Sequence, residues 1–274
     1  MTGPQKTPMP GEDLQAEKMP GHWLLARLGK RVLRPGGRQL TCRMIEALNI
    51  CPSDAVIEFA PGLGDTARLT LKRHPANYKA VERDKHAAAL VQKFLQGPDQ
   101  RCVVGLAENT GLPDASATVV YGEAMLSMQT AQRKGDIVRE AYRLLKPRGR
   151  YGIHELCLIP SDLTETTKQK IQNELSTVIH HGVRPLTIAE WQGLLESTGF
   201  SVQAQAQAPM HLLEPWRLIH DEGVFGALRF AFNLLRNREA RRRVLAMRRV
   251  FSKYRDHLAA VVFVGQKTEE VPQQ

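Results

Sequence analysis

From residue 55 to residue 156 the chain alternates between short apolar runs and stretches with helical spacing. "AVIEFA" (55–60), "YKAVE" (78–82), "RCVVGLA" (101–107), "ATVVYGE" (117–123) and "GRYGIHEL" (149–156) read as strands bounded by turn residues. Helical patterns over 64–74, 83–95 and 134–145 separate them, the last stopped by "KPRG". Strands this continuously apolar need cover on both faces, which predicts a parallel sheet between two layers of helices. "GFSVQAQAQAP" (199–209) alternates with period two, and "AAVVFVGQK" (259–267) is a late strand. The expected fold is therefore α/β: a doubly wound, seven-stranded, mostly parallel sheet with a short antiparallel end.

Helices are expected at 21–33 and 38–48, divided by "RPGG". Two inserts, 161–182 and 213–258, lie at the rim of the sheet and read as helical lids. The first opens with capping-box spacing at Ser161-x-x-Thr164-Glu165 or Asp162-x-x-Glu165. Residues 21–268 are read as one enlarged domain, between a flexible tail at 1–20 and another at 269–274. A composition of 42% hydrophobic and 24% charged residues over 274 excludes a disordered or fibrous chain. No apolar run reaches membrane-spanning length, and "MTGPQKTPMPGEDLQAEKMPG" has no apolar core of a secretory signal. The four cysteines, Cys42, Cys51, Cys102 and Cys157, are scattered as in a reducing compartment. The expectation is a cytoplasmic protein with no integral membrane association; oligomeric state is not read. The net charge of +10 favours acidic partners without naming one.

The turn "VIEFAPGLGDTA" (56–67) raises the question of chemistry. In an open α/β sheet ligands bind beyond the carboxyl ends of the strands, and glycines there let backbone approach a ligand. A dinucleotide turn reads G-x-G-x-x-G. Here the small residues are Ala60, Gly62 and Gly64, with Glu58 two positions ahead, a group that repels a pyrophosphate and welcomes a cation.

That E-x-A-x-G-x-G pattern resembles motif I, (D/E)-x-G-x-G-x-G, of the class I S-adenosylmethionine-dependent methyltransferases. Further segments fall into register with the family: "VERD" at the end of the second strand, "GLAENTGLPDASATVVYGEAM" after the third, and "EAYRLLKPRGRYGIHEL". The likeness is to the small-molecule type, such as the ubiquinone/menaquinone-biosynthesis and type 11 enzymes, and covers roughly residues 38 to 156. It implies S-adenosylmethionine as cofactor, with Glu58, Ala60, Gly62 and Gly64 under its methionine part. Glu82 then accepts the ribose hydroxyls, and Ala107 and Glu108 hold the adenine. Four positions depart from the pattern: Ala60 for the first glycine, Pro61 where a small residue is usual, Leu106 for a usual Asp, and Arg148 for a turn glycine.

Glu123 and His154, at the ends of the fourth and fifth strands, are the candidate catalytic residues. Glu123 either orients or deprotonates an acceptor, or caps a helix; His154 is either a base or a buried, hydrogen-bonded histidine. His180-His181 lack carboxylates or thiols at ligand spacing, and no metal is expected. The implied activity is methyl transfer to a small-molecule acceptor. The alternatives are an RNA-directed methyltransferase using the arginine-rich stretch 236–255, or a catalytically silent S-adenosylmethionine-binding protein. Nucleic acid as a partner finds no named binding module in the sequence.

Overall fold

The computed structural model describes residues 9–11, 14–15 and 17–268. The tail expected at 269–274 lies outside those residues, as does most of the one at 1–20. One mixed sheet organises the chain. Strands β1 (Ala55–Phe59), β2 (Asn77–Glu82), β3 (Gln100–Val104), β4 (Ala117–Glu123) and β5 (Leu145–Leu158) pair in parallel. Strand β7 (Phe200–Pro209) and strand β8 (Leu258–Lys267) complete it, β8 running antiparallel to both β5 and β7. The spatial order is β3-β2-β1-β4-β5-β8-β7. A two-residue strand, β6 (Leu186–Thr187), pairs with the end of β5 and makes eight strands where the sequence pattern gave seven.

Alternation along the strands feeds two cores. Val56, Val119 and Tyr121 face helices α2 (Gly37–Leu48), α3 (Asp65–Leu71) and α4 (Lys85–Gln92). Ile57, Phe59 and Val120 face α5 (Ala131–Leu144) and α7 (Ile188–Glu196). A third cluster joins α1 (Gly21–Arg27), α6 (Glu165–Ile179), α8 (Pro215–Arg236) and α9 (Arg238–Lys253). At about 25 cal/mol per Å² such continuous burial is the main favourable term in folding.

Several boundaries differ from the sequence reading, each for a local reason. Helix α1 stops at Arg27, not at 33, because Gly29 turns the chain at φ +108° with the Lys30 N–H returning to the Leu25 carbonyl; the Glu222 carboxylate then takes the N–H groups of Arg31 and Val32 at 2.9 Å each. Strand β3 ends at Val104, and Gly105 turns to donate to the Glu82 carbonyl. Neither expected capping box opens α6; Thr164 caps it alone, accepting from the Thr167 N–H. The stretch 213–258 holds α8, broken by non-helical backbone at Gly223, and α9, which Asn237 caps.

The order of strands reverses between β1 and β4. Their carboxyl ends, with the loops that follow, therefore frame the crevice where this architecture places ligands.

Candidate active site

The turn after β1 is held by its own backbone. Ala60 adopts φ +51° and donates its N–H to the Val81 carbonyl, and the Gly64 N–H closes on the Pro61 carbonyl. The two glycines have different work. A side chain on Gly64 would start 2.5 Å from the Phe94 ring, so this glycine serves helix packing. At Gly62, φ +56°, nothing lies within 4 Å of the place where a side chain would begin. Gly62 therefore faces open space in the crevice.

Glu58 lies beneath the turn, buried, with one carboxylate oxygen accepting from the hydroxyls of Tyr78 and Tyr121, the latter at 2.7 Å. Burial pushes it up to about 7 even though both hydroxyls oppose the rise. Sequence reading finds Glu58 but not the tyrosines, which look like ordinary apolar strand residues until β2 and β4 are known to flank β1.

Glu82 closes β2 and spans the next turn. It accepts from the Gly62 N–H at 3.0 Å and from the Asp84 N–H at 2.9 Å, and burial raises its pKa. One carboxylate thus links the glycine turn to the start of α4, where Asp84 caps the helix. Ala107 and Glu108 form the far wall with the half-exposed Leu106, and Glu108 pairs with Arg133 at 3.3 Å.

Glu123 reaches the crevice wall at the end of β4, surrounded by donors. Thr41 donates at 2.6 Å, the Thr66 hydroxyl and His154 Nδ1 also bond it, and Arg34 Nε stands 3.3 Å away. Burial alone would raise this carboxylate, but Arg34 and then His154 hold it down at about 2. His154 is fully buried behind Glu123 and away from the crevice, its Nε2 at 2.6 Å from the Pro35 carbonyl. Both ring nitrogens face acceptors. Glu155, on the opposite side of β5, accepts from the N–H groups of Met125, Leu126 and Ser127 and fixes the turn after β4. Arg34, Thr41 and Thr66 carry no signal in the sequence, since only the fold brings them to Glu123.

The crevice has a volume of about 370 Å³. His22 and Trp23 of α1, then Arg31, Leu33 and Arg34, stand over the glycine turn, with His181 from beyond α6. Burial, with help from His181 and Arg83, lowers His22 to about 4, so this part of the roof is uncharged at neutral pH. No residue of the insert 213–258 lines the crevice, contrary to the lid role expected for it. That insert holds the roof from behind: Glu222 fixes residues 31 and 32, and Asp221 accepts from the Arg38 N–H.

A family model described as a methyltransferase domain matches residues 57–153, from the middle of β1 to the middle of β5. The chain belongs to the class I S-adenosylmethionine-dependent methyltransferases. S-adenosylmethionine is its cofactor. A Haemophilus influenzae protein carrying the name "Uncharacterized protein" is 34% identical over 230 residues, 82% of this chain and 90% of that one. Among solved structures, a cyclopropane synthase from Mycobacterium tuberculosis superposes with a TM-score of 0.66 at 16% identity, over 92% of this chain and 98% of that one. A phosphoethanolamine N-methyltransferase from Haemonchus contortus, bound to S-adenosylhomocysteine and phosphomonomethylethanolamine, gives 0.68 at 14% identity. That alignment takes in 91% of this chain but 58% of the worm enzyme. At such identities the structural likeness speaks for the fold.

In this methyltransferase Glu58, Ala60, Gly62, Glu82, Ala107, Glu108 and Glu123 all line one crevice. Gly64 stands just behind it against Phe94, and His154 behind Glu123.

Proposed function

We propose that this enzyme transfers the methyl group of S-adenosylmethionine to a small-molecule acceptor, and that it does so in the cytoplasm. The observation that carries the reading is the roof. Side chains from α1, from the segment after it and from beyond α6 cover the crevice, whose volume is in the small-molecule range. Four free cysteines, Cys42, Cys51, Cys102 and Cys157, suit a reducing compartment.

The residues of the crevice fit the cofactor. The space before Gly62 lets a ligand lie against the backbone. The carboxylates of Glu58, Glu82 and Glu108 suit hydroxyls and a cationic amine, and Asp65 at the start of α3 opposes a phosphate there. In this reading Glu82 keeps unused lone pairs for the ribose hydroxyls. Ala60, Gly62 and Gly64 shape the turn beside the methionine part, and Ala107 and Glu108 border the base with Leu106.

The bound cofactor supplies a methyl group already activated by sulfonium charge. The protein therefore has mainly to align two reactants and exclude water, an effect that reaches several powers of ten. Glu123 and His154 enter as positioning residues. A carboxylate held at about 2 and bonded by four groups is a weak base, but it fixes Arg34 of the roof against the floor of the crevice.

The experiment that tests the proposal incubates the enzyme with radiolabelled S-adenosylmethionine and, separately, a metabolite extract and total RNA. Label in a small molecule is the expected outcome. Label in RNA alone, or in neither pool, overturns the assignment.

A further inference from the structure

We propose that the outward face of α8 is a docking surface for an anionic lipid bilayer. Phe225, Leu228, Phe232 and Leu235 recur at i, i+3, i+7 and i+10, the spacing of one helical face. Phe225 is 89% exposed, and the other three are each more than half exposed. The opposite face of the helix is also apolar: Ala227 and Phe230 are buried, Phe230 among side chains of α1, α6 and α9. A helix apolar on both sides requires cover on both, and the protein provides one. Single exposed leucines are ordinary, whereas a contiguous apolar stripe marks a contact surface.

Charge decides what covers it. Arg229 and Arg236 follow Phe225 and Phe232 by four residues and so border the same stripe, the Arg236 guanidinium lying 5.3 Å from the centre of the Phe232 ring. Arg238 continues the basic border to the start of α9, where the exposed Arg242 pairs with Glu239 at 2.9 Å. Residues 223–236 contain no carboxylate. The nearest two, Asp221 and Glu222, are turned inward, Asp221 toward Lys30 and Glu222 onto the backbone of residues 31 and 32. An apolar stripe bordered by arginines alone matches acyl chains beneath anionic headgroups. A second copy of the chain packed on this face about a two-fold axis would set arginines against arginines. No helix among the described residues is long and apolar enough to cross a membrane, so the contact lies in the interface plane.

The consequence is mechanical. Glu222, which holds the roof of the crevice through the N–H groups of Arg31 and Val32, is joined to the stripe through the non-helical Gly223, so a bilayer that immobilises the stripe sits one residue away from that support. The inference stands for whichever acceptor the crevice takes, and its readout is flotation, not methyl transfer.

The test floats the full chain with phosphatidylcholine vesicles and with vesicles in which about 30% of the lipid is phosphatidylglycerol. The native protein floats with the anionic vesicles only, and high salt weakens the binding. Phe225→Ser with Phe232→Ser abolishes flotation. Arg229→Ala with Arg236→Ala lowers the partition coefficient about 30-fold, at about tenfold or less per arginine. All four side chains sit on the outer face, so circular dichroism of both variants matches the native protein. The proposal is overturned by no flotation with either vesicle, by equal flotation with neutral ones, or by flotation that the phenylalanine variant leaves intact. It is equally overturned by a dimer in sedimentation that Phe225→Ser dissociates without any vesicle binding.

Discussion

Glu123 and His154 are register partners on β4 and β5, and their side chains meet at 2.7 Å beneath the crevice. Partners on adjacent parallel strands face the same side of a sheet, so the pairing follows from strand order. Arg34 reaches the same carboxylate from the roof and Asp65 of α3 at 2.9 Å. Two strands, one helix and the roof are thereby joined through one buried cluster of opposite charges.

Glu123→Gln leaves Arg34 and His154 buried without their common anion. Removing one member of such a pair costs about 3–5 kcal/mol, and thermal unfolding near neutral pH should show a loss of that order. The folded value of Glu123 lies below its ordinary 4.5, so its stabilising contribution is complete above 4.5 and is lost as pH falls through about 2. The native protein and the variant therefore converge in stability toward pH about 2, and a constant gap down to that pH contradicts the cluster.

Gly62 and Gly64 separate by experiment. Gly62→Arg fills the open space in the crevice, and calorimetry should find S-adenosylmethionine affinity lowered by at least about 100-fold, a difference of about 2.7 kcal/mol. Gly64→Ala meets the Phe94 ring at 2.5 Å with φ at +74°, and its main effect is on urea unfolding, about 2–4 kcal/mol. Identical behaviour of the two variants contradicts the division of roles.

Glu82→Ala removes the carboxylate that spans the glycine turn and the start of α4. Hydrogen bonds to a charged group contribute about 1.5–3 kcal/mol each, so cofactor affinity should fall by about 10- to 150-fold. Titration of the variant with S-adenosylmethionine checks this, and unchanged affinity contradicts the ribose role.

Glu58 gives the binding reaction a proton signature. In the free protein burial raises it to about 7, and a cation bound nearby favours the carboxylate. Binding therefore releases up to one proton near pH about 6.5 and none near pH about 8.5, and affinity climbs with pH between them. Calorimetry in two buffers of different ionisation heat measures the release. Equal heats at the lower pH contradict it, and Glu58→Gln should abolish the effect.

The sheet was legible because β1, β2, β4 and β5 are too apolar to lie anywhere but inside, and the glycine turn because its φ values demand small residues. Glu58, Gly62 and Glu82 were singled out by their spacing and by the family resemblance, and the fold brings all three to one crevice. Arg34, Thr41 and Thr66 were not, because a charge cluster is assembled by packing and leaves no periodicity. The eighth strand, two residues long, falls below any pattern. The lid role expected of 213–258 failed for a related reason: amphipathicity reveals that α8 has an apolar face, but not that it has two.

Strand β8 lies between β5 and β7 and gives each of them a partner. A ribosome, adding about 5–20 residues per second, makes it after every other strand. Through that interval the nascent chain carries an unfilled slot in its sheet. Until β8 fills it, β5 and β7 each present an unpaired edge that is open to wrong pairing.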